Sequence, residues 1–387
     1  MKAIVNTKLI LENGIIFDGA IVFDGGVIAA ADRADKVEIP KDCEIIDAKG
    51  KYTAPGFVDI HCHGSAEHYF YDEPIKCCEH FIKHGQTTVL PTFYMTMSMD
   101  EMLEGAARIK AASGEGVGKI MDGLYMEGPF MEHSGAMRYI VKWADEIPAS
   151  DYEKLFGALC DYARVWAVDP NRPGVDKFMA YAHEKKKDVI FALGHSTATV
   201  PQCESVAKYG VKVQTHHSNS GRPKSLCQSQ NGAGCDEYTL YNPDMFAELI
   251  CDEVGIHVMT GRIRMVVRTK GVEKIILISD SMPSLGDYKN DEAAGIAYGP
   301  DLNYDEEGRL AGSHLTLDAA CRNLMTHTGY GLCHAVRMAS TNPAKLLGID
   351  DKVGSIEVGK KANLIIIDDA VNVEKVFLEG ELMVCNQ

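Results

Sequence analysis

The chain has 387 residues, 46% hydrophobic and 24% charged, with a formal net charge of -16. That length can bury a large core and suits one big α/β domain with a smaller module. The acidic balance excludes nucleic acid as the main partner, because a phosphate backbone needs a basic footprint, whereas a phosphorylated small molecule needs only one cationic pocket. No apolar run approaches a membrane span, and MKAIVNTKLI lacks the apolar core and cleavage site of a signal peptide. No membrane partner and a cytoplasmic location are therefore expected. The 12 cysteines are dispersed with no Cys-x-x-Cys pair, which points to reduced, mostly buried thiols rather than a disulfide framework or zinc knuckle.

Residues 1–52 read as short β signals, Ala3 to Val5, Ile15 and Ile16, Ala20 to Phe23, Val27 to Ala30 and Glu44 to Asp47, separated by Gly, Asn and Asp turns. So small a module needs a partner to close its core. The partner is expected in residues 346–387, where a turn-rich Gly354 to Gly359 leads to a strand at Ala362 to Ile367 and a hairpin at Val373 to Val384 around Glu379-Gly380. Both termini are predicted to build one β-sandwich.

Within residues 53–345, strand-like runs alternate with helical stretches. The runs are Phe57 to His63, Thr87 to Phe93, Gly123 to Glu127, Val165 to Asp169, Val189 to His195, Val211 to His216, Ala247 to His257 and Lys274 to Asp280. Helical periodicity marks Ile75 to His84, Met99 to Ala112, Tyr152 to Tyr162, Val175 to Lys187 and Pro201 to Tyr209. This alternation predicts a (β/α)8 TIM barrel. A doubly wound open sheet would want a Gly-rich phosphate turn after an early strand, and none is present.

The organising stretch is Ala54 to Gly64, APGFVDIHCHG. A Pro-Gly pair breaks the chain, a short apolar strand follows, and it delivers His61 and His63, two apart and so on one face, to its C-terminal end. Alone, such a pair more often marks satisfied histidines than a metal site. Here, however, Glu127, His195, His216, His257 and Asp280 also fall where predicted barrel strands stop. That is the end of a TIM barrel that carries chemistry, so residues distant in sequence are expected to converge. His217 should point away from His216, and Cys62 away from its flanking histidines, into the core.

The segments LYMEGPF (124–130), ALGHST (192–197), QTHHSN (214–219), GIHV (255–258), ISDSMPSLG (278–286), LAGSHLTLDAA (310–320) and VGSIEVGKKANLIIID (353–368) follow the His-x-His stretch in order. Together they resemble the amidohydrolase superfamily and, most closely, its N-acetylglucosamine-6-phosphate deacetylases, over nearly the whole chain. The resemblance implies metal-dependent hydrolysis of the acetamide of an N-acetyl amino sugar phosphate, and a homodimer. It assigns Glu127, His195 and His216 to one metal, and His61 and His63, with Glu127 bridging and Asp280 nearby, to a second. One or two divalent ions, Zn or Fe, are expected. Asp280 would take the proton of the attacking water and deliver it to the departing nitrogen, although an isolated strand-end Asp before Ser281 can also be a helix cap.

The resemblance also matches His257 to a phosphate-binding residue. Asn219 and Ser220, with Ser218 to Ser220 as a backbone anion cradle and Arg222 and Lys224 as cations, are placed near the phosphate, although the segment SGRPKSLCQSQNGAGCD (220–236) departs from the family pattern and a solvated basic loop is nearly as strong a reading. After Glu127-Gly128-Pro129 the family's carbonyl-binding His or Gln is replaced by Met137, which cannot donate a hydrogen bond. His133, Arg138 or a metal at His61 and His63 would have to substitute. An amidohydrolase acting on another N-acyl amino sugar, an N-acyl amino acid or a cyclic amide stays open. A non-catalytic scaffold would have lost donors that this chain retains.

Overall fold

The computed structural model describes residues 1–132, 140–219, 221, 232–285 and 299–386. Its N-terminal strands are β1 (Lys2–Leu11), β2 (Gly14–Asp24), β3 (Val27–Arg33), β4 (Glu44–Asp47) and β5 (Tyr52–Pro55). They join β16 (Leu364–Ile367), β17 (Val373–Leu378) and β18 (Glu381–Cys385) in one hydrogen-bonded sheet of order β18-β17-β16-β5-β1-β2-β3, with β4 on β1. The hinge of this union is the antiparallel pairing of β16 with β5, Leu364 opposite Pro55 and Ile367 opposite Tyr52. Strand β16 is buried on both faces because the pleat splits it. Leu364 and Ile366 enter the module's own core with Ile4, Phe23 and Phe377, whereas Ile365 and Ile367 pack into the barrel's core.

The barrel strands are β6 (Phe57–Cys62), β7 (Gln86–Tyr94), β8 (Leu124–Glu127), β9 (Ala163–Val168), β10 (Ile190–Leu193), β11 (Val211–Gln214), β12 (Phe246–Ile250) and β13 (Ile275–Ile278). They run in consecutive parallel order. The seam between first and last strands is stitched at its upper end, where Asp280 N donates to His61 O at 2.9 Å and His63 N to Ser281 O at 2.7 Å. A carboxylate takes part lower down: Asp59 Oδ1 accepts from the backbone N–H groups of His61 and Ser279, both at 3.3 Å.

Helices α1 (Pro74–Lys83), α2 (Met99–Ala112), α3 (Ala149–Leu159), α4 (Val175–Lys185) and α5 (Val200–Val206) cover the first half of the barrel, close to the expected spans. The start of α2 is set by a capping box between Ser98 and Glu101. Phe156 and Phe178 of α3 and α4 pack on Trp166 of β9 with ring centroids 5.2 and 5.8 Å away. Periodicity did not reveal α6 (Cys235–Tyr241), α7 (Thr260–Lys270) or α8 (Leu317–Thr328). The first is only seven residues long, and α7 buries just Ile263, Val266 and Val267 among basic residues. The hairpin β14 (Leu302–Tyr304) and β15 (Leu310–Ser313) lies over the barrel mouth, where Ser313 N donates to Asp280 O at 2.8 Å.

One expectation needs correction. The seventh strand was read as Ala247 to His257, but β12 ends at Ile250, and His257 sits on the loop leading into α7. The apolar run ends at Cys251, and Asp252 turns the chain by accepting from the backbone N–H groups of Ile256 and His257, at 2.9 and 2.8 Å.

Candidate metal centre

The six expected donors meet at the mouth of the barrel. His61, His63, Glu127 and Asp280 form one group whose ligand atoms lie within 4.8 Å of one another, and Glu127, His195 and His216 form another. Glu127 belongs to both through different oxygens. Its Oε1 lies 3.0 Å from His195 Nε2 and 2.9 Å from His216 Nε2. Its Oε2 lies 3.1 Å from His63 Nε2 and 3.4 Å from His61 Nε2. Asp280 Oδ1 completes the second group, 3.2 Å from His63 Nε2 and 3.5 Å from His61 Nε2.

Local backbone geometry explains how strand ends can aim these groups inward. His195, His216 and Asp280 have φ of 41°, 27° and 50°, in the left-handed region that costs a non-glycine residue about 1 kcal/mol or more. Each stands two residues beyond the end of its strand, at a sharp turn toward the barrel axis. Gly64, which ends the His-x-His stretch, admits no side chain: a Cβ there would lie 2.0 Å from the His68 carbonyl oxygen.

Buried imidazole nitrogens directed at carboxylate oxygens require something positive between them. Burial opposes charging His61, yet Glu127, Glu248 and Asp280 outweigh it and raise its pKa well above the usual value; the same contest lifts His63 to about 9. A divalent cation meets the same electrostatic demand with neutral imidazoles and ionised carboxylates, the donor set such ions use. Among the described residues, none hydrogen-bonds His61 Nε2 although it is fully buried, as expected of a lone pair kept for a metal. Burial pushes the Asp280 carboxyl up, but the His63 hydrogen bond and the charges of His61 and His63 prevail and hold it below the usual value, in its proton-accepting form.

Glu248 was missed by the sequence reading. It is fully buried on β12, with Oε2 3.3 Å from His61 Nδ1 and 3.1 Å from the backbone N of His216. By accepting a hydrogen bond from Nδ1–H it fixes the tautomer that leaves the Nε2 lone pair of His61 facing the metal position, and it touches both donor groups at once. The signal was a glutamate inside the otherwise apolar strand FAELI, just as Asp59 interrupts FVDI. Replacing Glu248 by Gln should lower metal affinity roughly 10- to 100-fold without loss of fold. Chelator competition followed by elemental analysis measures this, and unchanged affinity would remove Glu248 from the metal's support.

A cavity of about 600 Å³ opens over the centre, lined by His63, Tyr94, Glu127, His195, His216 and Asp280 at the metal end and by Tyr69, Tyr71, Asn219, His257, Arg262 and Met282 beyond. Asn219 Nδ2 donates to His257 O at 3.2 Å. Both ring nitrogens of His257 are engaged, Nδ1 with Asp252 Oδ2 at 3.1 Å and Nε2 with Gly312 O at 2.9 Å. Burial disfavours the charged ring, but Asp252 and the Gly312 carbonyl raise its pKa, so both nitrogens act as donors. His217 is buried away from the donors, bonded to Ser218 Oγ at 2.6 Å and Asp236 O at 3.2 Å. Cys62 is likewise core. His133, Met137, Arg138, Ser220, Arg222 and Lys224 lie outside the described residues.

Residues 52–383 match the model of the amidohydrolase family. The chain belongs to that family. Among relatives of this amidohydrolase, an N-acetylgalactosamine-6-phosphate deacetylase from Escherichia coli O157:H7 is 28% identical over 97% of both chains. An N-acetylglucosamine-6-phosphate deacetylase from Lysinibacillus sphaericus is 28% identical over 88% of this chain and 87% of its own. The crystal structure of N-acetylglucosamine-6-phosphate deacetylase from Pasteurella multocida superimposes with a TM-score of 0.84 at 26% identity, covering 99% of each chain. Family and donor cluster together make the protein a metal-dependent amide hydrolase with a site for divalent metal. Among the described residues, no helix is long and apolar enough to cross a membrane.

Proposed function

We propose that this amidohydrolase deacetylates N-acetylglucosamine 6-phosphate, consuming water and releasing acetate and glucosamine 6-phosphate. The observation that carries the reading is the Glu127-centred pair of donor groups, with Asp280 at the cavity floor, in a chain whose relatives include deacetylases of phosphorylated N-acetyl hexosamines. A divalent metal bound by His61, His63, Glu127, His195, His216 and Asp280 would make water nucleophilic near neutral pH and polarise the amide carbonyl. The other tasks belong to the chain. Asp280 accepts the proton of the attacking water and passes it to the amide nitrogen, which leaves as an amine when the C–N bond breaks. Asn219 and His257, together with Ser220 and Arg222, are assigned to holding the sugar phosphate, and His133 to the amide carbonyl. The amide is buried among Tyr94 and the metal donors, where few waters compete.

Nitrogen and carboxylate donors suit either zinc or iron, and we read the site as holding one or two such ions. The reading includes a cytoplasmic homodimer, with the barrel at residues 53–345 and the flanking β module contributed by residues 1–52 and 346–387. One observation favours a second substrate: the E. coli relative that matches nearly end to end is named for the galactosamine epimer. Acetate release by the metal-loaded protein, measured on N-acetylglucosamine and N-acetylgalactosamine with and without the 6-phosphate, separates these readings. The expected result is highest kcat/KM on N-acetylglucosamine 6-phosphate. Preference for the galactosamine epimer would replace the sugar, and selective activity on an unphosphorylated sugar would reject the phosphate.

A further inference from the structure

Five described side chains lining the cavity can carry positive charge: His63, His195, His216, His257 and Arg262. The first three are turned to Glu127 and Asp280. His257 has both ring nitrogens engaged and its charge balanced by Asp252, so it meets a ligand only by giving up one of those bonds. Arg262 differs from all four. It is exposed at the cavity margin, and no hydrogen bond or ion pair ties its guanidinium to another described residue. The next arginine, Arg264, instead donates through Nε to His327 O at 2.6 Å.

The surroundings suit an anion. Arg262 stands in the first turn of the 11-residue helix α7, which opens at Met259 with no side-chain cap and no acidic residue in that turn. The N–H groups of Thr260 and Gly261 have no acceptor within the helix, so its positive end adds to the guanidinium charge. A planar guanidinium meets a phosphate with two parallel N–H donors, the geometry a hexose 6-phosphate requires. The metal donors are buried and Arg262 is at the rim of the same cavity, so a substrate gripped there by its phosphate projects its other end inward.

We infer that Arg262 is the cation that binds the 6-phosphate, contributed by the same chain as the metal donors; this rests on the deacetylase reading above. It assigns phosphate selectivity to α7, separately from Arg222 and Lys224.

The test uses the full-length, metal-loaded protein and the ratio of kcat/KM for N-acetylglucosamine 6-phosphate to that for N-acetylglucosamine. Arg262→Met should reduce this ratio roughly 10- to 100-fold, through KM rather than kcat, and Arg262→Lys should recover part of it. Added inorganic phosphate should compete with the phosphorylated sugar in the wild type and less well in Arg262→Met. The side chain is exposed, so circular dichroism of the variant should match the wild type. A wild-type ratio in Arg262→Met, or a larger collapse in Arg222→Met, overturns the assignment while the deacetylase reading stands. A wild type indifferent to the phosphate overturns both the phosphate reading and this inference.

Discussion

Asp280→Asn is expected to keep its metal and fold while kcat falls about 10³-fold, the scale of a lost general acid-base group. The amide has the same shape, and its oxygen can still approach His63, which lies 3.2 Å from Asp280 Oδ1. What it cannot do is take a proton from water and return it to nitrogen. Among the described residues, the other carboxylate lining the cavity is Glu127, whose two oxygens face four imidazoles, so it cannot replace Asp280 in the transfer. Because Asp280 is also a potential metal donor, elemental analysis must accompany the kinetics. A variant with full metal and near-normal kcat would end the proton-transfer assignment, whereas one that has lost metal shows Asp280 to be chiefly a ligand.

The barrel and the gathering of six histidine and carboxylate side chains at its mouth were legible because both depend on residue type at strand ends, and a histidine or carboxylate after a short apolar run stands out without any knowledge of contacts. The support around them was not. Glu248 and Asp59 act through partners distant in sequence, Glu248 on His61 Nδ1 and the His216 backbone, Asp59 on the Ser279 backbone. No periodicity announces such pairings. His257 was placed at a strand end because the apolar spacing of AELICDEVGIHV continues past Ile250; the side chain of Asp252, folding back on the N–H groups of Ile256 and His257, decides otherwise. Arg262 escaped notice because a basic residue in a basic helix reads as a solvated face. Its significance lies in its having no side-chain partner among the described residues and in its place on the cavity rim, both of which are properties of the fold.

Metal stoichiometry should separate the two donor groups. After dialysis against divalent metal, a wild type that fills both groups should hold two equivalents; His195→Ala should then lose the ion held with Glu127 and His216, and His61→Ala the ion held with His63, Glu127 and Asp280, each keeping about one. Glu127→Gln should lose both, with acetate release falling further than in Asp280→Asn. The asymmetry follows from the carboxylate's two oxygens: Oε1 faces His195 and His216, and Oε2 faces His61 and His63. An amide presents one oxygen and one nitrogen whose hydrogens occupy the space a cation needs, so at least one group is left with imidazoles alone, and the negative charge between the two is gone. Retention of two equivalents by Glu127→Gln would mean the histidines and Asp280 suffice, and Glu127 would then be a spacer rather than a bridge. If His195→Ala strips both ions while His61→Ala strips one, filling is ordered: the Glu127, His195 and His216 position must be occupied before the second group can hold metal.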